Sequence, residues 1–176
     1  AMDMDHPDLE VVQGDATSAT DVAEAVRDQD AVVSTLGVPY TFREVTLYST
    51  ASRHILAAMA TSRVRRLVAV TAGGANPKRD PNPPWFFEYV LKPFVGRTLY
   101  RDMRRMEALI QASDTRWTIM RPSRLMDRAP RKAVRVVPDV YTLPGGNELS
   151  RRDLGRVIVE HLDQDLHAGQ AVAVTE

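Results

Sequence analysis

The sequence contains no cysteine, which excludes thiol catalysis, disulfide bonds and thiolate metal sites. It has no excess charge of either sign, since 23 Lys and Arg residues balance 23 Asp and Glu residues. Such a balance gives no electrostatic reason to expect binding to nucleic acid or to an anionic membrane. The 4 histidines are scattered without the HxxxH type of ligand spacing, so we expect no metal site.

The sequence also lacks a long apolar run. No stretch approaches the roughly 20 apolar residues that a membrane span needs, and no signal peptide is visible, so we expect a cytoplasmic protein. Ala1 precedes Met2, and we interpret Ala1 as the remnant of an expression tag and Met2 as the encoded start. A length of 176 residues with 44% hydrophobic residues predicts one domain over 1–176 with one sizeable core.

Short apolar runs alternate with amphipathic stretches along the chain. The apolar runs predict strands at 9–12, 31–36, 67–71, 117–120, 133–137 and 171–174, the fourth stopped by Arg121-Pro122. The amphipathic stretches predict helices at 20–27, 44–61 and 96–112 and from Ser150 onward, with N-caps at Ser18 or Thr20 and at Ser150. A proline-rich loop at 76–84 precedes a short apolar helix at 85–94. Alternating strands and helices predict the α/β class, as a Rossmann-like doubly wound parallel sheet.

Small and polar residues follow the predicted strands, at the ends where such sheets bind ligands. The strands end in or are followed by Gly14-Asp15-Ala16-Thr17, Thr35-Leu36-Gly37-Val38-Pro39, Thr71-Ala72-Gly73-Gly74 and Arg121-Pro122-Ser123-Arg124. Glycines also end strands simply because turns need them, and each motif alone is equally consistent with that interpretation. Four such ends together favour a site for a small-molecule ligand.

The sequence resembles the atypical short-chain dehydrogenases of the NmrA-like and NAD(P)H-flavin reductase (biliverdin-IXβ reductase) kind. The resemblance covers nearly the whole chain. It rests on HPDLEVVQGDATSATDVAEAVRDQDAVVSTLG, LVAVTAGG, MRRMEALIQASDTRWTIMRPSRL and ELSRRDLGRVIVEHL. The family binds NAD(P), so the resemblance implies an NAD(P) cleft and an oxidoreductase.

The resemblance also implies a role for each strand end. It places Asp15 and Ala16 against the adenine, and Leu36 and Gly37 beside the adenosine and ribose. It places Thr71, Ala72, Gly73, Arg121, Pro122 and Ser123 around the nicotinamide.

The sequence departs from the family at its glycine-rich loop. The family opens with a strand, a GxxGxxG loop, a helix and a second strand, all ahead of the segment matching His6-Pro7-Asp8. This sequence contains none of that unit, and Gly73-Gly74 and Gly145-Gly146 have the wrong spacing to replace the loop. The loop supplies backbone N–H groups for the pyrophosphate, so we expect weakened cofactor binding by these residues alone. The residue that distinguishes NAD from NADP belongs to the same unit.

The catalytic pair of the family is also altered. Many short-chain dehydrogenases place Tyr and Lys four residues apart on the helix that precedes the WTIM-like strand, and the Tyr donates a proton. Aligning Glu107 with the family's Glu puts Leu99 and Met103 at those positions, whereas a shift of one residue gives Tyr100 and Arg104. The spacing favours Tyr100 as an ordinary helix residue over Tyr100 as a proton donor. Hydride transfer between stacked rings, as in flavin reductases, needs no such donor.

The missing unit has a consequence for the sheet. The resemblance implies that strands one and two would lie between the 9–12 strand and the 31–36 strand, so the latter becomes an open apolar edge. Either the 9–12 strand moves beside it or two chains pair there, and we expect a homodimer or larger assembly. Two functions stay open: an NAD(P)H-dependent oxidoreductase, or a non-catalytic regulatory module with weak or no dinucleotide affinity.

Overall fold

A computed structural model describes residues 6–78, 89, 94, 96–130, 133–140 and 148–176. The helices within these ranges are α1 Ala19–Val26, α2 Leu47–Ser62, α3 Arg97–Gln111 and α4 Arg151–Asp163. The strands are β1 Ala31–Ser34, β2 Arg66–Val70, β3 Arg116–Pro122, β4 Arg124–Met126, β5 Arg135–Pro138, β6 Glu148–Ser150 and β7 Gln170–Thr175. The predicted helix at 85–94 and most of the predicted loop at 76–84 lie outside the described residues.

Five strands form one sheet in the order β1-β2-β3-β7-β5, and β4 and β6 form a separate parallel pair. The first four strands of this order are parallel, which confirms the doubly wound α/β prediction. The sheet is mostly parallel, and only β5 among its described strands runs antiparallel, to β7. A parallel strand needs a long crossover, and no helix lies in the described part of the 123–134 connection between β3 and β5.

Helices cover both faces of the sheet. Strand residues alternate between the faces, so Leu67 and Ala69 pack with α1, α2 and α3, while Val68 and Val70 pack with α4. This division gives two hydrophobic clusters, one on each side of a shared sheet. The carboxyl ends of β1, β2 and β3 remain between the two helical layers.

Both predicted helix caps are confirmed. The Ser18 hydroxyl accepts a hydrogen bond from the backbone N–H of Asp21 at 3.3 Å, and the Ser150 hydroxyl accepts one from Asp153 at 3.0 Å. Each cap satisfies an N–H group that has no partner within its helix. These two serines therefore fix where α1 and α4 begin.

The strand prediction at 9–12 is wrong. Residues 9–12 are irregular, and 38% of Leu9, 64% of Val11 and 63% of Val12 is exposed. A strand needs a neighbour to receive its backbone hydrogen bonds, and the described residues provide none here. β1 pairs only with β2 within the described residues, so the predicted open edge is present and the chain does not cover it with residues 9–12.

The predicted end of the 117–120 strand is also wrong. β3 continues through Arg121 to Pro122, which pairs in register with Val174 of β7. Proline has no N–H group to give to a second neighbour. It is tolerated here because β2 ends at Val70, two positions earlier in the register.

Candidate functional site

The three parallel strands β1, β2 and β3 end at the same edge of the sheet. Leu36 and Gly37 follow β1, Thr71 to Gly73 follow β2, and Arg121 to Ser123 close β3. The fold therefore brings three of the four predicted groups of site residues to one edge, where ligands bind in sheets of this type.

The surface above the end of β1 is open. A Cβ atom added to Gly37 would have no atom within 4 Å, so a ligand can approach the backbone at this position. Ser34 ends β1 and is only 5% exposed, and its hydroxyl has no hydrogen-bond partner among the described residues. A buried hydroxyl without a partner is unfavourable.

A buried ion pair joins α3 to the end of β3. Arg121 donates from Nε to Glu107 Oε1 at 3.0 Å and from Nη2 to Glu107 Oε2 at 2.7 Å, and both side chains are more than nine-tenths buried. The hydroxyl of Thr71 donates to the same carboxylate at 2.7 Å. The three side chains hold the ends of β2 and β3 against α3. Arg121 and Thr71 thus reach the predicted site mainly through their backbone groups.

The two candidate catalytic residues, Tyr100 and Arg104, differ in their exposure to solvent. Tyr100 is 3% exposed, and its hydroxyl lies 2.6 Å from the hydroxyl of Tyr40 in the loop that follows β1. Its ring lies against Gly74, where an added Cβ would be 2.5–2.9 Å from ring atoms. Arg104 is exposed on α3. The Tyr40–Tyr100 contact joins the loop that follows β1 to α3.

Asp15 and Ala16 lie before α1, which packs against α2. Hydrogen bonds from the backbone and side chain of Thr17 lower the pKa of Asp15. The backbone N–H of Asp15 in turn donates to Asp21 and lowers the pKa of that carboxyl group. Asp15 is exposed and remains ionised, but its described hydrogen bonds all belong to the turn that starts α1. No described contact joins this turn to the strand ends.

Sequence reasoning missed two buried acids and a tyrosine. Asp102 is fully buried and accepts hydrogen bonds from the hydroxyl and the N–H of Ser49 at 2.5 and 3.2 Å. Glu107 and Asp102 both lie among apolar residues on the inward face of α3, and this pattern could have signalled buried partners. Tyr40 gave no such signal, because its role depends on a loop that the sequence does not position.

A doubly wound sheet with open strand ends defines the class of nucleotide-binding α/β proteins. Residues 1–165 match the model of the NAD(P)H-binding family. The chain therefore belongs to the NAD(P)H-binding family. At the strand ends, Gly37 leaves open space for a bound group.

Solved structures share this fold at low sequence identity. A short-chain dehydrogenase/reductase from Veillonella parvula in complex with NADP has a TM-score of 0.74 at 17% identity, over 98% of this chain and 74% of that one. An oxidoreductase from Lactococcus lactis gives 0.76 at 13%, over 97% and 73%. ChuY, an anaerobillin reductase from Escherichia coli O157:H7, gives 0.72 at 21%, over 92% and 72%.

None of the helices in the described residues is long and apolar enough to cross a membrane. No group of three His, Asp or Glu side chains in these parts of the chain is arranged to hold a metal ion.

Proposed function

We propose that the protein is an NAD(P)H-dependent oxidoreductase that binds its cofactor along the shared edge of β1, β2 and β3. The observation that carries this proposal is the meeting of three strand ends at one edge, with open space at Gly37. Membership of the NAD(P)H-binding family supports it, as does the fold shared with a reductase crystallised with NADP.

The strand ends divide the proposed site into two sides. Leu36 and Gly37 form the side for the adenosine. Thr71 to Gly73 form the side for the nicotinamide together with Pro122 and Ser123. A reduced nicotinamide supplies a hydride when it is bound. These residues exclude water from one face of the ring and hold it at a fixed position on the sheet.

The Tyr40–Tyr100 pair bears on the type of acceptor. The hydroxyl of Tyr100 is close to Tyr40, so proton donation from Tyr100 to a substrate requires that contact to rearrange. Arg104 is exposed, and α3 carries no Lys in the described residues to lower the pKa of a tyrosine. This arrangement favours acceptors that take a hydride directly, such as conjugated rings, over simple carbonyl substrates.

The first experiment is a fluorescence titration of the protein with NADPH and with NADH. We expect saturable binding of at least one of them, and Gly37→Val should abolish it by filling the open space above β1 without disturbing any neighbour. Gly155→Val on α4 is the matched control, since Gly155 also has no atom within 4 Å of an added Cβ. Absence of binding at about millimolar cofactor, a free energy near −4 kcal/mol, overturns the proposal.

Ser34→Ala provides a readout of stability. Removing a buried hydroxyl that has no partner among the described residues should raise the free energy of unfolding of the unliganded protein by about 1 kcal/mol. Cofactor binding should be unchanged, because the hydroxyl is buried and a ligand does not reach it. Thermal unfolding and the titration measure the two effects separately. A loss of stability would contradict the absence of a partner for this hydroxyl.

A second candidate is a non-catalytic binding module. The buried Tyr100, the exposed Arg104 and the apolar Leu99 and Met103 favour it, because none of these arrangements performs acid–base chemistry. The two functions separate when NADPH is mixed with FMN as acceptor and the absorbance of NADPH is followed. Loss of absorbance supports the oxidoreductase, whereas absence of turnover together with weak or no binding of NADPH supports the module.

A further inference from the structure

A cavity of about 290 Å³ lies on the α3 face of the sheet, outside the proposed cofactor site. It extends from Arg121 towards Trp117 and Gln170, which lie at the amino-terminal starts of β3 and β7. Nucleotides bind at the opposite, carboxyl ends of the strands in this fold. The volume is near the lower limit of small-ligand pockets, which begin at roughly 300 Å³.

Arg121 supplies a buried cation with unused donors at one end of this cavity. The guanidinium is 6% exposed, and Glu107 occupies its Nε and Nη2 atoms. Nη1 makes no hydrogen bond within the described residues, yet it is not among the buried atoms that lack a partner. Nη1 is therefore accessible from the cavity that Arg121 lines, where it can donate to an anion.

Trp117 supplies an aromatic wall at the other end. Trp117 and Arg121 are four residues apart on β3, so their side chains project from the same face. Their Cα atoms are separated by about 13 Å in an extended strand. Trp117 is half-buried and Ala171 lies beside it on the neighbouring strand β7. This spacing suits a ligand with one aromatic ring and a short chain that ends in an anionic group.

The remaining charges place the anion at Arg121. The Lys78 ammonium donates to the backbone carbonyl of Asp139 at 3.1 Å, so a neutral acceptor holds it at the rim without cancelling its charge. The Asp139 side chain is exposed at the same rim, where water screens it. Gln111 marks the carbonyl end of α3, which disfavours an anion at that wall.

We propose that this cavity binds a small aromatic carboxylate, with the carboxylate on Arg121 Nη1 and the ring against Trp117. The site shares only Arg121 with the cofactor edge, since the backbone of Arg121 lies at that edge and its side chain lines the cavity, and it does not depend on the proposed oxidoreductase activity. The occupant is identified by its chemistry: one planar ring, a short aliphatic linker and a single negative charge.

The test uses 3-phenylpropanoate as the probe and isothermal titration calorimetry on the full chain without cofactor. We expect saturable binding, with the neutral 3-phenylpropanamide at least about tenfold weaker, because it loses the charge-assisted hydrogen bond to Arg121. Equal affinities for the acid and the amide, or no saturable heat for the acid, overturn the proposal.

Two variants locate the binding. Ala171→Leu should abolish it by filling the cavity, and Ala60→Leu on the exposed side of α2 is the matched control. Lys78→Met removes an exposed rim cation, leaves the fold intact and should weaken binding of the acid but not of the amide. Thermal unfolding of each variant verifies folding. Unchanged binding in both Ala171→Leu and Lys78→Met overturns the location.

A competition arm distinguishes this site from the cofactor edge. The affinity for 3-phenylpropanoate should be unchanged within about twofold, some 0.4 kcal/mol, when NADPH is present at saturation or when Gly37→Val removes cofactor binding. Displacement of the probe by NADPH would assign it to the cofactor edge and overturn the separate site. Binding of the probe by a protein that binds no NADPH would leave this inference standing while the proposed function fails.

Discussion

At the scale of single residues, the backbone of Gly74 lies so close to the ring of Tyr100 that no side chain fits at position 74. A Cβ there would lie 2.5 Å from Tyr100 Cζ, and the ring is buried and cannot move away freely. We expect Gly74→Ala to lower the free energy of unfolding by about 1–3 kcal/mol through overpacking. Chemical denaturation measures this change.

Gly155→Ala is the matched control for this prediction. Gly155 lies on the exposed side of α4, and an added Cβ there meets nothing within 4 Å. Alanine should stabilise this helix by about 0.5–1 kcal/mol because glycine is a poor helix former. Equal effects of the two substitutions would contradict the contact between Gly74 and Tyr100.

The Glu107–Arg121 ion pair is a second feature of single residues. Glu107→Gln leaves the Arg121 guanidinium buried without a countercharge, and we expect a loss of about 3 kcal/mol in the free energy of unfolding. Glu160→Gln on α4 breaks a pair with Arg156 whose two side chains are 42% and 54% exposed. That control should lose less than about 1 kcal/mol. Similar losses for the two variants would show that the buried pair carries no special energy.

At the scale of elements, a pair of histidines joins the last turn of α4 to the turn that precedes β7. His161 is 2% exposed, and its Nδ1 donates to the carbonyl of Val157 at 2.7 Å. Its Nε2 therefore accepts from Nδ1 of His167 at 2.9 Å. Burial lowers the pKa of His161 most strongly, the neighbouring His167 and Arg66 lower it further, and Val157 and Glu160 oppose this shift.

This pKa shift predicts how stability depends on pH. A histidine whose pKa is lowered in the folded state stabilises the fold while it is neutral, above its unfolded pKa, and this contribution is lost as the pH falls. We expect the Tm to fall as the pH is lowered from about 7.5 to about 5.5. The Tm should fall less in His161→Phe, because phenylalanine has no group to protonate. His6→Gln, at an exposed histidine, is the control. An unchanged pH dependence in His161→Phe would refute the assignment.

The sequence predicted most elements because their signals are local. Ser18 and Ser150 predicted where two helices begin, and the apolar runs at 31–36 and 67–71 predicted buried strands. The strand at 9–12 was mispredicted because an apolar alternation only becomes a strand when a neighbour pairs with it. β4 and β6 were missed, since three-residue strands have too few positions to show a period.

The site was less predictable than the fold. Strand ends follow from the order of elements, so the positions of Leu36, Gly37 and Thr71 could be placed at one edge from the sequence. The direction of the side chains could not be predicted, because the Arg121 side chain points inward to pair with Glu107, which lies in another element. The contact between Tyr40 and Tyr100 joins residues 60 positions apart and has no local signature.

At the scale of the whole molecule, the open edge of β1 is the feature that bears on assembly. Val33 on this strand is 39% exposed, and β1 pairs with β2 alone among the described strands. We propose that two chains associate through this edge, because an unpaired apolar strand is a template for another strand. We expect self-association of the wild-type protein in sedimentation velocity.

Val33→Lys tests this proposal. A lysine on the edge strand should shift the protein towards the monomer, because pairing would bring two buried charges together. Val159→Lys on α4 is the control, since Val159 is 54% exposed and distant from β1 in the fold. A monomeric wild-type protein, or equal effects of the two lysines, would contradict the edge as an interface.

The strand order has a consequence for the timing of synthesis. β7 lies between β3 and β5 in the sheet, yet the ribosome makes it after both of them. Until residues 170–175 emerge, β3 and β5 each present an unsatisfied row of backbone groups, and Ser123 has no Val174 carbonyl to receive its N–H. A nascent chain halted before β7 should therefore engage chaperones through β3, and release of the finished chain should end that engagement.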